Sequence, residues 1–125
     1  MFILSLTYVK PNDEADRHME PHMAWVKEGY AKGWFLASGR KVPRTGGVIL
    51  AIGDRTAIEA YVAADPFTIH GVAEYEITEL AVTTAVEGLD PRELPQHRLL
   101  REPGLRRPRS SADLLLEAGV EARAR

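Results

Sequence analysis

Apolar and polar positions over residues 1–82 alternate between stretches with the period of a strand and stretches with the period of a helix. Residues 2–9 (FILSLTYV) are rich in β-branched and aromatic side chains, and they predict a first strand. Phe2, Leu4, Leu6 and Tyr8 share one face; Ile3, Ser5, Thr7 and Val9 share the other. Neither face is truly polar, so both are expected to be covered. Residues 11–13 break the strand. Met19, His22, Met23, Val26 and Tyr30 then recur at spacings of three and four, one stripe of a helix that ends near residue 31. Asp13 or Asp16 is the expected cap. Pro21 falls inside this pattern, so the regular part of the helix is expected to begin near it, with Gly33 as the glycine past its end.

Residues 34–38 (WFLAS) and 48–52 (VILAI) read as a second and third strand. A basic loop at 40–45 and the pair Gly46-Gly47 join them as an antiparallel hairpin. Asp54 caps a second helix at 55–64. Asp65 followed by Pro66 is a capping residue with a proline in the first helical position, which opens a further turn through residue 70. Gly71 releases that turn into a fourth strand at 72–82, where Ala73, Tyr75 and Ile77 alternate with Glu74, Glu76 and Thr78. The order β-α-β-β-α-β is the ferredoxin-like α+β unit. Its sheet carries helices on one face only. Strands apolar on both faces are best served by pairing two sheets, so a homodimer is expected.

Composition divides the chain in two. Residues 1–87 hold eight Lys or Arg against twelve Asp or Glu, a net of -4; residues 88–125 hold eight Arg, no Lys and six acids, a net of +2. The expected organisation is a domain at 1–87 and an Arg-rich C-terminal extension at 88–125, extended or partly helical and dispensable for folding. The whole, 125 residues with 45% hydrophobic and 27% charged, is ordinary for one small soluble domain. A net charge of -2 gives no case for nucleic acid or an acidic membrane surface. No cysteine is present, which removes disulfides, thiolate metal sites and cysteine nucleophiles. No basic segment precedes the first apolar stretch, and no apolar run approaches the ~20 residues that span a bilayer. A cytoplasmic location is therefore expected.

No glycine-rich phosphate loop, nucleophile elbow or HExxH motif occurs. His18 and His22 stand four apart, a metal-compatible spacing, but no third ligand lies near them in sequence, and neither metal nor cofactor is expected. His22 lies on the apolar stripe, where a neutral imidazole must find a hydrogen-bond partner. Two accounts stand open at this point. His22 and Asp65 belong to a site, or His22 is a satisfied core histidine and Asp65 merely caps its own turn.

The segments His22-Met-Ala-Trp25, Gly33-Trp-Phe-Leu36, Ser38-Gly39, Gly46-Gly47 before an apolar strand, Ala64-Asp65-Pro66-Phe67 and Gly71 follow one another in an order and spacing that resembles the YciI-like family. The resemblance implies a dimeric ferredoxin-like α+β barrel, and a site in which the helix-one histidine, here His22, works with the Asp of the Asp-Pro step, here Asp65. An activity assigned within the family is removal of chloride from a chlorinated hydroxyquinol. This chain departs from the family in one place: Arg40, where many members have proline, follows Gly39 and starts a cationic loop that includes Lys41 and Arg44. Two readings of that change stand open: an anionic or phenolate ligand, or a solvated loop that simply carries charge. The expectation is a cofactor-free enzyme for a small, aromatic or anionic substrate, performing lyase-like elimination or isomerisation. His22 is the acid or base and Asp65 orients it, with Ser38, Gly39, Arg40 and Arg44 on the substrate. The competing expectation is a non-catalytic homodimeric module that binds a metabolite or a protein.

Overall fold

A computed structural model describes residues 1–89. Strand β1 (Phe2–Tyr8) is followed by helices α1 (Asn12–Arg17) and α2 (Met19–Ala31) and by the hairpin of β2 (Phe35–Arg40) and β3 (Gly46–Ala51). Helices α3 (Arg55–Ala63) and α4 (Pro66–Ile69) and strand β4 (Ala73–Glu79) complete the described order. The strands form one antiparallel sheet in the order β2-β3-β1-β4, the ferredoxin-like arrangement. The expected extension lies outside the described residues apart from 88 and 89. Among the described residues, no helix is long and apolar enough to cross a membrane.

Alternation in β1 decides the layers. Phe2, Leu4 and Leu6 are buried and stand opposite Ala51, Ile49 and Gly47 of β3. Phe2, Leu4, Ile49 and Ala51 join Trp25, Val26 and Tyr30 of α2 and Ile58 and Val62 of α3 in the main core. A second cluster, Leu6, Ala15, Phe67, Val72 and Ala73, closes the end of the sheet where α4 packs. The other face is less enclosed in the single chain. Ile3, Val48 and Leu50 are only half-buried, and Glu74 and Glu76 on β4 are exposed beside them. The apolar band therefore occupies the middle of that face, with an acidic edge.

Two boundaries depart from the sequence reading. The first helix is interrupted: His18, at φ -110° and ψ 12°, separates α1 from α2. The regular part of α2 thus starts at Met19, two residues before Pro21. Pro21 still falls in the first turn, where a backbone N–H has no intrahelical acceptor, so its missing donor costs nothing. Neither Asp13 nor Asp16 caps α1; Pro11 occupies the cap position, and its carbonyl accepts from the Glu14 and Ala15 N–H groups. The remaining caps agree with the sequence. Asp54 accepts from the Ala57 N–H, and Gly33, at φ 79°, follows α2 and donates to the Tyr30 carbonyl.

Helix α2 passes very close to β2. A Cβ built on Gly29 would lie 2.3 Å from Cε2 of Phe35, a ring fully buried between Trp25, Tyr30 and Tyr61. Helix propensity favours alanine by about 1 kcal/mol, whereas overpacking a ring with no free space costs about 1–3 kcal/mol. Gly29→Ala is expected to lower the denaturant midpoint; an unchanged midpoint would show that Phe35 has room to move.

Across the layer, Trp25 and Tyr61 exchange hydrogen bonds: Trp25 Nε1 donates to the Tyr61 carbonyl at 3.0 Å, and Tyr61 Oη donates to the Trp25 carbonyl at 2.7 Å. Burial, with the charges of Glu28 and Asp65, pushes the Tyr61 phenol up to about 12 from its ordinary 10.0. The unfolded chain releases this proton near pH 10 and the folded chain does not, so stability falls as pH rises between 10 and 12. Melts at stepped alkaline pH should show that loss, and Tyr61→Phe should make it smaller without abolishing it, because Tyr30 and Tyr75, also raised by burial, contribute over the same range. An equal alkaline loss in Tyr61→Phe would assign the effect to other groups.

Candidate active site

Asp65 is built into its position by local sequence. As the cap of α4 it has extended backbone, φ -61° and ψ 131°, and its Oδ1 accepts the Phe67 N–H at 3.0 Å; Pro66 fills the first helical position. The same Oδ1 meets His22 Nδ1 at 2.8 Å. Oδ2 accepts from the Tyr75 hydroxyl at 2.7 Å. Asp65 is 0% and His22 7% exposed. Three donors thus converge on one buried carboxylate from α2, α4 and β4. An ionised carboxylate only accepts, so Nδ1 of His22 carries the hydrogen, and Nε2 is the nitrogen left with a lone pair in the neutral ring.

The ring is held on its face as well as at its edge. Phe67 stacks on His22 with centroids 4.0 Å apart and an interplanar angle of 3°. Tyr75 is kept a donor. Burial, and then the charge of Asp65, pushes its phenol above the usual range, which keeps the hydrogen it gives to Oδ2 in place near neutral pH.

His22 opens onto a cavity of about 100 Å³ between α2 and the β1-β3-β2 part of the sheet. Its walls are largely apolar: Leu6, Met19, Met23, Val26, Ile49 and Phe67. Ser38, Gly39, Arg40, Gly46 and Gly47 line the side formed by the hairpin. Asp65 does not reach this wall; it sits behind His22. Gly46, at φ 152°, lets β3 approach β1, since a Cβ there would come within 2.0 Å of the Leu6 carbonyl oxygen.

Ser38 and Arg40 owe their place to a β-bulge. Between Phe35 and Ala37 the register slips by one residue, so Phe35 pairs with Ala51, Ser38 with Ile49, and Arg40 with Gly47. All three partners face the helices, and unbroken alternation from Phe35 would have turned Ser38 and Arg40 outward. Ser38 Oγ lies 2.9 Å from the Tyr30 hydroxyl. Tyr30 is the more acidic hydroxyl and the natural donor, although burial raises its pKa. The serine hydrogen is then free for a ligand oxygen. Arg40 forms no ion pair among the described residues.

Arg44, expected beside Arg40 on the substrate, is engaged elsewhere. Its Nη2 bonds Asp16 at 2.6 Å and its guanidinium lies 5.6 Å over the Tyr8 ring, so it ties the hairpin loop to α1 and does not line the cavity. His18 and His22 do not converge either. His18 stacks on His70 at 4.2 Å, while His22 turns to Asp65. The sequence reading passed over Tyr75 and the stacking role of Phe67. Alternation did put Tyr75 on the core face with Ala73 and Ile77, and a buried tyrosine hydroxyl needs an acceptor; that was the available signal.

A family model described as the YCII-related domain matches residues 1–81. No curated protein sequence matches the chain. Among solved structures, the chain is similar to 5-chloro-2-hydroxyhydroquinone dehydrochlorinase (TftG) from Burkholderia phenoliruptrix AC1100, determined in complex with 2,5-dihydroxybenzoquinone. The TM-score is 0.53 at 17% identity, over 66% of this chain and 96% of that one. The likeness is one of fold.

Proposed function

We propose that this chain, which belongs to the YCII-related domain family, is an enzyme that removes H–X from a small hydroxylated ring, with His22 as acid and base and Asp65 as its support. The observation that carries the proposal is a buried imidazole that pairs through Nδ1 with Asp65 and lines a cavity about one ring in size. The similar fold named a dehydrochlorinase, with a quinone bound, supports the same class of chemistry.

In this reading Nε2 of His22 moves a proton from one ring hydroxyl to the halogen-bearing carbon, which gives the keto tautomer. It then takes a second hydroxyl proton. The electron pair left on oxygen becomes a carbonyl bond, the ring double bonds shift, and halide leaves; the products are a quinone and one H–X. Asp65 stabilises the imidazolium in each transfer without leaving its own bonds. Arg40 and the Ser38 hydroxyl receive the oxygen that carries negative charge. Calorimetry with 2,5-dihydroxybenzoquinone tests the site: binding is expected, and both His22→Gln and Arg40→Ala should weaken it. Binding indifferent to both variants would sink the assignment and favour a ligand-binding module with its site elsewhere.

The half-buried Ile3, Val48 and Leu50 support a homodimer with the two sheets face to face. Light scattering at micromolar concentration should give twice the 13.9 kDa chain mass, and a stable monomer would refute the pairing.

A further inference from the structure

We infer that Tyr75 is a positioning residue that sets the proton affinity of His22 through Asp65. The inference rests on the His22–Asp65 reading above, and it adds a third member to that pair. Asp65 Oδ1 is shared between His22 Nδ1–H and the Phe67 N–H, whereas the Tyr75 hydroxyl at 2.7 Å is the sole protein donor to Oδ2 among the described residues. The carboxylate is fully buried, so water does not replace a lost donor. No Lys or Arg bridges to it among the described residues; the charge is held by hydrogen bonds alone, apart from His22 when protonated.

The other titratable groups around the pair stay the same when Tyr75 changes. Tyr61 on α3 feels the Asp65 charge, and Tyr8 of β1 and Arg40 of β2 share the cavity with His22. Each donor on a carboxylate draws charge away from the oxygens. A carboxylate with fewer donors is a stronger base and favours the imidazolium beside it. Tyr75 therefore weakens the pull of Asp65 on the His22 proton, which lets the ring give that proton up as well as take it.

Nitrogen NMR of the His22 ring across a pH titration, on the full chain with no ligand present, reads this directly. Tyr75→Phe should raise the His22 midpoint by about one pH unit, the scale of one hydrogen bond to a charged group. An unmoved or lowered midpoint overturns the inference, even if the melting temperature falls, because that pattern is a packing role only. Should Tyr75→Phe not fold, 3-fluorotyrosine at position 75 keeps the shape and strengthens the donor. The midpoint should then fall, and no change overturns the inference equally. Since no turnover is involved, failure of the proposed reaction would leave this result standing, and the reverse holds too.

Discussion

Asp65→Ala is expected to melt far below the wild type, the largest stability loss of any single side-chain truncation at the site. The change strands three donors at once: His22 Nδ1–H, the Phe67 N–H and the Tyr75 hydroxyl. Loss of a helix cap costs about 0.5–2 kcal/mol, and each buried donor left unpaired about 1–3 kcal/mol. Partial relaxation brings the total to about 3–5 kcal/mol, a large part of the roughly 5–15 kcal/mol that holds a small domain together. The melting temperature should fall by more than ~10 °C. Asp65→Asn separates structure from chemistry. Asparagine still caps α4 and fills the same volume, so most stability should survive. Its amide carries no charge to support an imidazolium, and it can present a donor to Nδ1 and reverse the tautomer, so turnover should collapse. An Asp65→Ala protein that melts within a few degrees of the wild type would show that the three bonds contribute little.

The largest effect on rate should come from His22→Gln. Glutamine occupies much of the imidazole's space and still donates an N–H toward Asp65, but it does not exchange a proton near neutral pH. General acid–base catalysis is worth about 10²–10⁴-fold, and kcat/KM should fall by that factor with a modest change in melting temperature. The two measurements belong together. A rate loss matched by unfolding would mark His22 as a packing residue, whereas a rate loss in a folded protein marks it as the proton carrier.

What was legible in the sequence is what depends on neighbours along the chain. The Asp65-Pro66 step announced a cap because capping is settled within three residues, and Phe2 to Val9 announced a first strand by their β-branched and aromatic content. The ring of Phe67 against His22 joins residues 45 positions apart, and the Tyr75 bond to Asp65 depends on β4 pairing with β1, so neither is visible in a local pattern. Arg40 and Arg44 looked equivalent in the loop. The bulge at the start of β2 turns Arg40 toward the helices, and Asp16 on α1 takes Arg44. The break at His18 was hidden because the residues on both sides are helical. There, His18 leaves the helix to stack on His70 from the end of α4.

The most direct test of the account is release of chloride from 5-chloro-2-hydroxyhydroquinone, followed side by side for the wild type and a folded His22→Gln variant. The wild type is expected to release chloride faster than buffer alone, and the variant to release it about 10²–10⁴-fold more slowly than the wild type. Equal acceleration by both proteins would contradict the account.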